Sequence, residues 1–328
     1  MNATMRLGLL GVALASHVAQ EDSWCQTYPN KPVRVIVPGP PGSAPDVVAR
    51  VIARRLSELM GQQVFVDNRP GGGGVVSAQI AANSPADGHT VLLTSSGAVS
   101  IAPFLARTRP YDPIQDFTPV TLLVVAPLII TSHPSLPVRS VKELISLAKA
   151  RPNQLIFAST GSGSVQHLTI EMFSRAAGIN VVHVPYKGGA PAVIDTMSGE
   201  AQLLSTTISP VLPHLQSARL RALAVSGSTR SPAVPAVPTV AESGMPGFQS
   251  VTWYAMFTPR HTPAAIVQTL YREVRKATQS TAVKAALDPE GMELDVKGPR
   301  ALADFHQADI GRWQKIVRDL RASNVILE

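Results

Sequence analysis

At about five places along this chain a short apolar run gives way to a loop of glycine, serine, threonine or proline, and then to a stretch of helical period. The first instance is the fullest. Residues 35–37 are apolar enough for a buried strand, and residues 38–43 break it. Val48, Val51, Ile52, Leu56 and Leu59 then recur on one helical face, with Arg50, Arg54, Arg55 and Glu58 elsewhere. Ser43 and Asp46 have the spacing of a capping box, Pro45 is tolerated in a first helical turn, and Gly61 is a stop signal. Strands alternating with helices in this way specify parallel α/β sheets. Such helix N-termini leave backbone N–H groups free and carry partial positive charge, which suits a bound carboxylate or phosphate. Taken alone, the first loop is more simply an ordinary βα connection.

The same unit returns downstream. A strand over 64–66 runs into Asn68-Arg69-Pro70 and four glycines, Gly71 to Gly74, before a helix over 75–82. A strand over 90–94 enters a small polar segment containing Ser96. Helix 140–150 opens with a second capping box, Ser140 and Glu143. Strand 155–158, loop 159–164 and helix 165–177 follow, with Gly178 as the stop. Strand 181–184 leads through Pro185-Tyr186-Lys187-Gly188-Gly189 to another helix. Strand 201–204 ends in Ser205-Thr206-Thr207, and a further strand covers 220–225. The proline-rich segment 232–246 reads as a surface loop, and helices over 264–279 and 300–322 close the chain. Residues 120–131 form a β-rich run with only Pro127 inside, too long for a typical strand; it and 251–258 are expected to cross between two lobes. The expected division is a leader over 1–27, lobe 1 over 28–124 and 253–328, and lobe 2 over 125–252. Ligands in such sheets bind beyond the carboxyl ends of the strands, where these loops lie. Two facing sets of polar loops describe a cleft that closes on a small molecule.

At 328 residues the chain is long enough for two domains. Its net charge of +7 is spread among acidic residues, with no basic run interleaved with aromatics, so nucleic-acid binding is excluded as a reading. The basic balance favours, weakly, the attraction of acidic small molecules. The single cysteine, Cys25, rules out an internal disulfide and a cysteine-based zinc site, and its polar surroundings near the N-terminus do not suit a catalytic thiol. Arg6, the apolar residues 7–15 and Ala13-Leu14-Ala15 have the form of a secretory signal. No other apolar run is long enough to span a bilayer.

Catalytic motifs are missing. Gly161-Ser162-Gly163 supplies two glycines of a dinucleotide fingerprint but not the third, and no acidic residue ends the next strand. There is no P-loop, no Gly-x-Ser-x-Gly elbow and no metal spacing among the eight histidines. His167 and His214, at loop-to-helix junctions, read first as capping or packing residues; His167 is the better cleft candidate. Asp46 is most simply a helix cap. Lys187 is an anion contact or a solvated lysine. Trp253 and Tyr254 either face a cleft or pack the return crossing. Main-chain N–H groups, hydroxyls and helix dipoles can hold a carboxylate without arginine, so the pattern points to binding rather than turnover. No catalytic residue, metal or cofactor is expected.

A set of motifs runs in fixed order from Tyr28 to the C-terminal region. They include Tyr28-Pro29-x-Lys31-Pro32, Val37-Pro38-x-Pro40-Pro41-Gly42 with Asp46, and Asn68-Arg69-Pro70-Gly71-x-Gly73-Gly74. Pro85-x-Asp87-Gly88, Pro110-Tyr111-Asp112-Pro113 and His183-Val184-Pro185-Tyr186-Lys187-Gly188-Gly189-x-Pro191 follow, then Leu212-Pro213-His214 and Pro238-Thr239-Val240-x-Glu242-x-Gly244. In this order and spacing the chain resembles the Bug-type periplasmic solute-binding receptors of tripartite tricarboxylate transporters. The resemblance implies an α/β, two-lobed type II periplasmic binding protein fold with two crossing strands. It also implies a monomer in the periplasm that binds small carboxylates and delivers them to membrane transporter subunits. Carried onto this sequence, it places Pro41, Gly42, Ser43 and Asp46 on one wall of the cleft, and Ser159, Thr160, Gly161, Ser164 and His167 on the other. Tyr186, Lys187, Gly188 and Gly189 lie nearby, and Ser96 and Thr206 complete the expected ligand-binding set. Two departures stand out. Ser43 replaces a usual second glycine beside an unusual Pro45, and Ser205-Thr206-Thr207 stands where amino-acid binders of the family can carry an acid. A missing acid would leave an ammonium unpaired in a closed cleft. The expected ligand is therefore a carboxylate without an amino group, a di- or tricarboxylate or an aromatic acid. A receptor reporting to a membrane histidine kinase, or an α/β enzyme acting on an acidic metabolite, are the alternative readings.

Overall fold

The computed structural model describes residues 28–106, 109–288 and 291–322, so the expected leader, with its apolar run and Cys25, lies outside the described residues. Strand β1 (Val33–Val37), helix α1 (Ala44–Met60), β2 (Val64–Asn68), α2 (Val75–Ala82) and β3 (Thr90–Ser95) open the chain, and β1 pairs in parallel with both β2 and β3. A π-helical turn (Gly97–Ile101) and α3 (Ala102–Leu105) lead to β4 (Phe117–Ser132). There follow α4 (Val141–Ala150), β5 (Ile156–Ser159), α5 (Val165–Ala177), β6 (Val182–Pro185), α6 (Gly189–Ser198), β7 (Leu203–Thr207), α7 (Leu212–Gln216) and β8 (Arg221–Val225). The chain returns through β9 (Val251–Pro259), α8 (Ala264–Thr278), α9 (Thr281–Leu287), β10 (Glu293–Lys297) and α10 (Pro299–Arg321).

The strands run in the order β2-β1-β3-β9-β4-β7-β5-β6, with β8 and β10 also paired to β4. β4 is the shared member. Its first part, through Pro127, pairs antiparallel with β9, and Leu128 to Ser132 pair with β7. Pro127 thus sits where the partner changes. Proline brings no ladder N–H, and a partner switch is a place where the ladder tolerates that. Register shifts interrupt the β4 ladders on both sides of that switch, between Pro119 and Val124 against β9 and between Ile130 and Thr131 against β8. The outcome is an α/β, two-lobed molecule with two crossing strands.

Alternation along β1 divides the first lobe's core. Val35 and Val37 pack under α1 and α8 with Ile52, Leu56, Leu270 and Val274, while Ile36 faces Leu92, Phe257 and Leu302 on the other side. Phe157, Ile170, Phe173 and Leu203 centre the second lobe. A third cluster belongs to both: Ile101 and Leu128 meet Val165 and Leu168 of α5 and Trp313, Val317 and Leu320 of α10. Three local expectations need correction. Segment 232–246 is not merely a surface loop, because Val234, Val240 and Met245 are buried. Its backbone also extends β8, through Val225 N–H to Pro238 O and Val240 N–H to Val225 O. Helix α9 and strand β10 are additions to the expected elements: one is short, and the other, the alternating Glu293-Leu294-Asp295-Val296-Lys297, pairs with β4. Ser43 occupies the N-cap of α1 but its hydroxyl donates to Pro40 O at 2.6 Å instead of capping. Pro45 at N2 has no N–H to offer such a cap.

Candidate functional site

A cleft of about 300 Å³ lies between the lobes. That is at the small end of ligand sites, suited to a compact solute. From the first lobe it is lined by the β1–α1 loop, Pro38 to Pro40 with Ser43 to Pro45, by Pro70 to Gly74, and by Ser95. The second lobe contributes Thr160 to Ser162, Ser164 and the first turn of α5, then Pro185 to Gly189, Thr206, Thr207 and Pro210. Thr252 and Tyr254 of β9 form part of the wall. The N-termini of α1, α2, α5 and α6 therefore all abut one cavity. First-turn N–H groups have no intrahelical acceptor, so four partial positive charges converge there. Among the described residues, Lys187 is the one formally charged side chain in the lining, and no carboxylate lines it.

Nine of the expected residues line the cleft: Ser43, Thr160, Gly161, Ser164, Tyr186, Lys187, Gly188, Gly189 and Thr206. Ser164 shapes the α5 terminus, accepting the His167 N–H at 3.2 Å and donating to Gly161 O at 2.7 Å. Six expected residues lie outside the lining. Pro41 and Gly42 are exposed on the outer side of the first loop. Asp46, Ser96, Ser159 and His167 are buried behind the walls. Each of the buried four braces something that does line the cleft. Asp46 accepts from Gly42 N–H, Arg50 Nε and Asn68 Nδ2, all at 2.9 Å, and Asn68 Nδ2 also donates to Gly39 O at 2.8 Å. Burial pushes the Asp46 carboxyl up, but these donors, Arg50 first, outweigh it and hold the group below the usual carboxylate range. Ser96 shares a hydrogen bond of 3.2 Å with Thr252.

His167 and His183 stack face to face, centroids 3.9 Å apart and 6° from parallel. His167 Nδ1 accepts the Gly163 N–H at 3.2 Å, which places its proton on Nε2. His183 Nε2 pairs with Ser159 Oγ at 2.7 Å, and Ser159 Oγ accepts the Gly161 N–H at 3.3 Å. Burial, with the neighbouring His183, pushes His167 down to about 3, and burial pushes His183 down to about 4. Both rings are neutral at pH 7 and hold the 159–164 loop from behind. On β9 the period of two separates neighbours: Trp253 points into the core and donates to Asp309 at 2.9 Å, while Tyr254 lines the cleft.

Sequence reasoning passed over the Pro70–Gly74 loop, Gln166 and Thr252 as site residues, and left Tyr254 open between facing the cleft and packing the crossing. The four-glycine loop has the same strand, small-residue loop and helix signature as the chosen loops. The β9 pair needed only a reference for which face is the core.

Residues 48–321 match the family model described as the tripartite tricarboxylate transporter family receptor. The chain is 38% identical over 323 residues to Protein BugT of Bordetella pertussis, covering 98% of this chain and 99% of that one. It resembles an R. palustris protein solved with adipate, at TM-score 0.87 and 35% identity over 89% of this chain and 98% of that one. It also resembles MatC from Rhodopseudomonas palustris, solved with bound malate, at TM-score 0.84 and 31% identity over 88% of this chain and all (100%) of that one.

Proposed function

We propose that this chain, which belongs to the tripartite tricarboxylate transporter receptor family and is a solute-binding receptor of that family, closes over a small organic carboxylate carrying no amino group. The observation that carries the reading is the charge of the cleft. Four helix N-termini and Lys187 offer positive potential, and among the described residues no carboxylate side chain lines the cavity to receive an ammonium. An ammonium buried there would stand unpaired, at a cost of several kcal/mol. The two similar structures solved with adipate and with malate, both acids without amino groups, support the same class. Hydroxyls of Thr160 and Thr206 supply neutral donors beside the helix termini. Ligand contacts made by both walls at once favour the closed state, and no covalent step is involved. In this reading the protein works as a monomer in the periplasm and hands its ligand to membrane subunits of a tripartite transporter. The switch of pairing at Pro127 and the return at Val251 support lobes divided near 124/125 and 252/253.

Calorimetry against adipate, malate, benzoate, a tricarboxylate, aspartate, glutamate and a neutral sugar tests it. Binding is expected among the non-amino acids. A ligand present at a hundred times its Kd adds about 2.7 kcal/mol of stability, visible as a rise in Tm. Tight binding of aspartate or glutamate, with no response to any non-amino acid, refutes the reading.

A further inference from the structure

We propose that Gly73 and Gly188 are the stops that set how far the cleft closes, and so how short a ligand both walls can grip at once. Each glycine belongs to one lobe and meets rigid atoms of the other. A Cβ added to Gly73 would lie 3.0 Å from the carbonyl oxygen of Ser162, and one added to Gly188 would lie 3.0 Å from Cδ of Pro40. Neither obstacle is the free end of a flexible side chain: one is backbone, the other a pyrrolidine ring on the β1–α1 loop. Gly161 completes the first contact, since its own Cβ would lie 3.8 Å from the Gly73 nitrogen. All five residues line the cleft.

The two contacts join the same loops that carry the helix N-termini. Gly73 links the α2 terminus to the α5 terminus, and Gly188 links the α6 terminus to the α1 terminus. Their thickness therefore fixes the spacing between the anion-holding groups of the two lobes. A methyl group at either point wedges the walls apart by a fraction of an ångström. Hydrogen bonds weaken steeply over such a distance, and a short ligand cannot bridge the added gap. Gly291 is as close to the second lobe, its Cβ 3.0 Å from Cδ1 of Ile208, but it lies outside the cleft and meets the end of a side chain. Gly97 faces the second lobe too, but its Cβ would lie 3.4 Å from Ser164 Cα, an ordinary contact.

Both glycines also have positive φ, 64° at Gly73 and 111° at Gly188, so a side chain there strains the backbone whatever lies opposite. The two effects separate experimentally. Backbone strain is the same in open and closed molecules; it lowers stability and cancels from ligand affinity. The wedge exists only in the closed state. Gly61, at φ 66° with nothing within 4 Å, provides the control: Gly61→Ala carries strain without a wedge.

The inference rests on the receptor reading above for its binding arm, and a second arm is independent of any ligand's identity. In the full chain with Cys25→Ser, nitroxide labels go on Phe65→Cys and Val182→Cys, exposed positions on β2 and β6 at opposite ends of the strand order. Pulsed EPR then reads the distance between the lobes with and without adipate, and calorimetry reads adipate and malate affinity. Gly73→Ala and Gly188→Ala are expected to weaken malate binding roughly tenfold and adipate binding less, while Gly61→Ala binds as the parent does. The shortest label-to-label population of the parent lengthens in the first two and not in the third. Should Gly188→Ala fail to fold, Gly73→Ala decides. An unchanged short-distance population and an unchanged malate-to-adipate ratio in Gly73→Ala overturn the proposal, as does a parent that never populates the short distance. A parent that binds neither acid yet shows the lengthening in Gly73→Ala removes the carboxylate reading and leaves the stops in place.

Discussion

Replacing His167 by glutamine should make the fold less sensitive to acid. The imidazole is 1% exposed, stacked on His183, and its Nδ1 lone pair is occupied by the Gly163 N–H. Protonating Nδ1 would break that bond and place charge against a second ring. Glu171, 3.8 Å from Nε2, is a neighbour that favours the cation, and burial raises its own pKa, which weakens that help. The native ring accordingly titrates near 3, against 6.5 when unfolded. The sign follows from proton binding. Above pH 6.5 neither state is protonated and the group is neutral to stability. Below it the unfolded chain takes up a proton that the native ring refuses, so stability falls until the pH passes the native value near 3. Each pH unit in that window costs about 1.4 kcal/mol, so pH 5.0 costs about 2 kcal/mol relative to pH 8.0. Glutamine keeps an acceptor for the Gly163 N–H and does not titrate. Urea unfolding at pH 8.0 and 5.0 should show the parent losing about 2 kcal/mol more than His167→Gln. Equal losses in the two proteins would refute the account of a ring held neutral by its surroundings.

Two further outcomes follow from the site and the shared core. Lys187→Met should weaken carboxylate binding roughly tenfold, and the deficit should shrink at high salt because Lys187 is exposed and screened; titration calorimetry at two ionic strengths decides, and equal affinities would remove Lys187 from the site. Trp313→Ala removes a fully buried side chain from the cluster common to both lobes and should cost about 3–5 kcal/mol in urea unfolding; a cost below about 1 kcal/mol would mean the cluster is not part of the cooperative core.

Much of the architecture is legible in the sequence because it depends on period alone. The helix over 165–177 matches α5 at both ends, since Ser164 and Gly178 punctuate it. The excess length of 120–131 marked a crossing strand, and β4 is longer still. Period does not say which way a polar residue near a helix start points. Ser43 and Asp46 are three positions apart in the same segment, yet one faces the cleft and the other is sealed behind it by Arg50 and Asn68. The same limit applies to Ser159 and His167, which reach the site only through the backbone they hold. Tyr254 and Trp253 differ by one residue and by a whole face of the sheet. Two signals were passed over: the alternation of β10, where Leu294 and Val296 stand between Glu293, Asp295 and Lys297, and the glycine loop at 71–74, whose contribution is backbone and therefore unmarked by any reactive side chain.

The distribution of strands between the lobes also dictates an order of assembly. β5 to β8 are contiguous in the chain; β7 and β8 pair with the second half of β4, and β5 and β6 extend the sheet from β7, so that lobe has all its strands by Val225. The lobe that begins the chain is different. β3 waits for β9 as its antiparallel neighbour, and the face of the sheet around Ile36 and Leu92 waits for Leu302 of α10. As the polypeptide emerges from the ribosome, β3 lacks its second neighbour until β9 has been made, and the face around Ile36 stays uncovered until the last helix, so the N-terminal lobe is the one that finishes last.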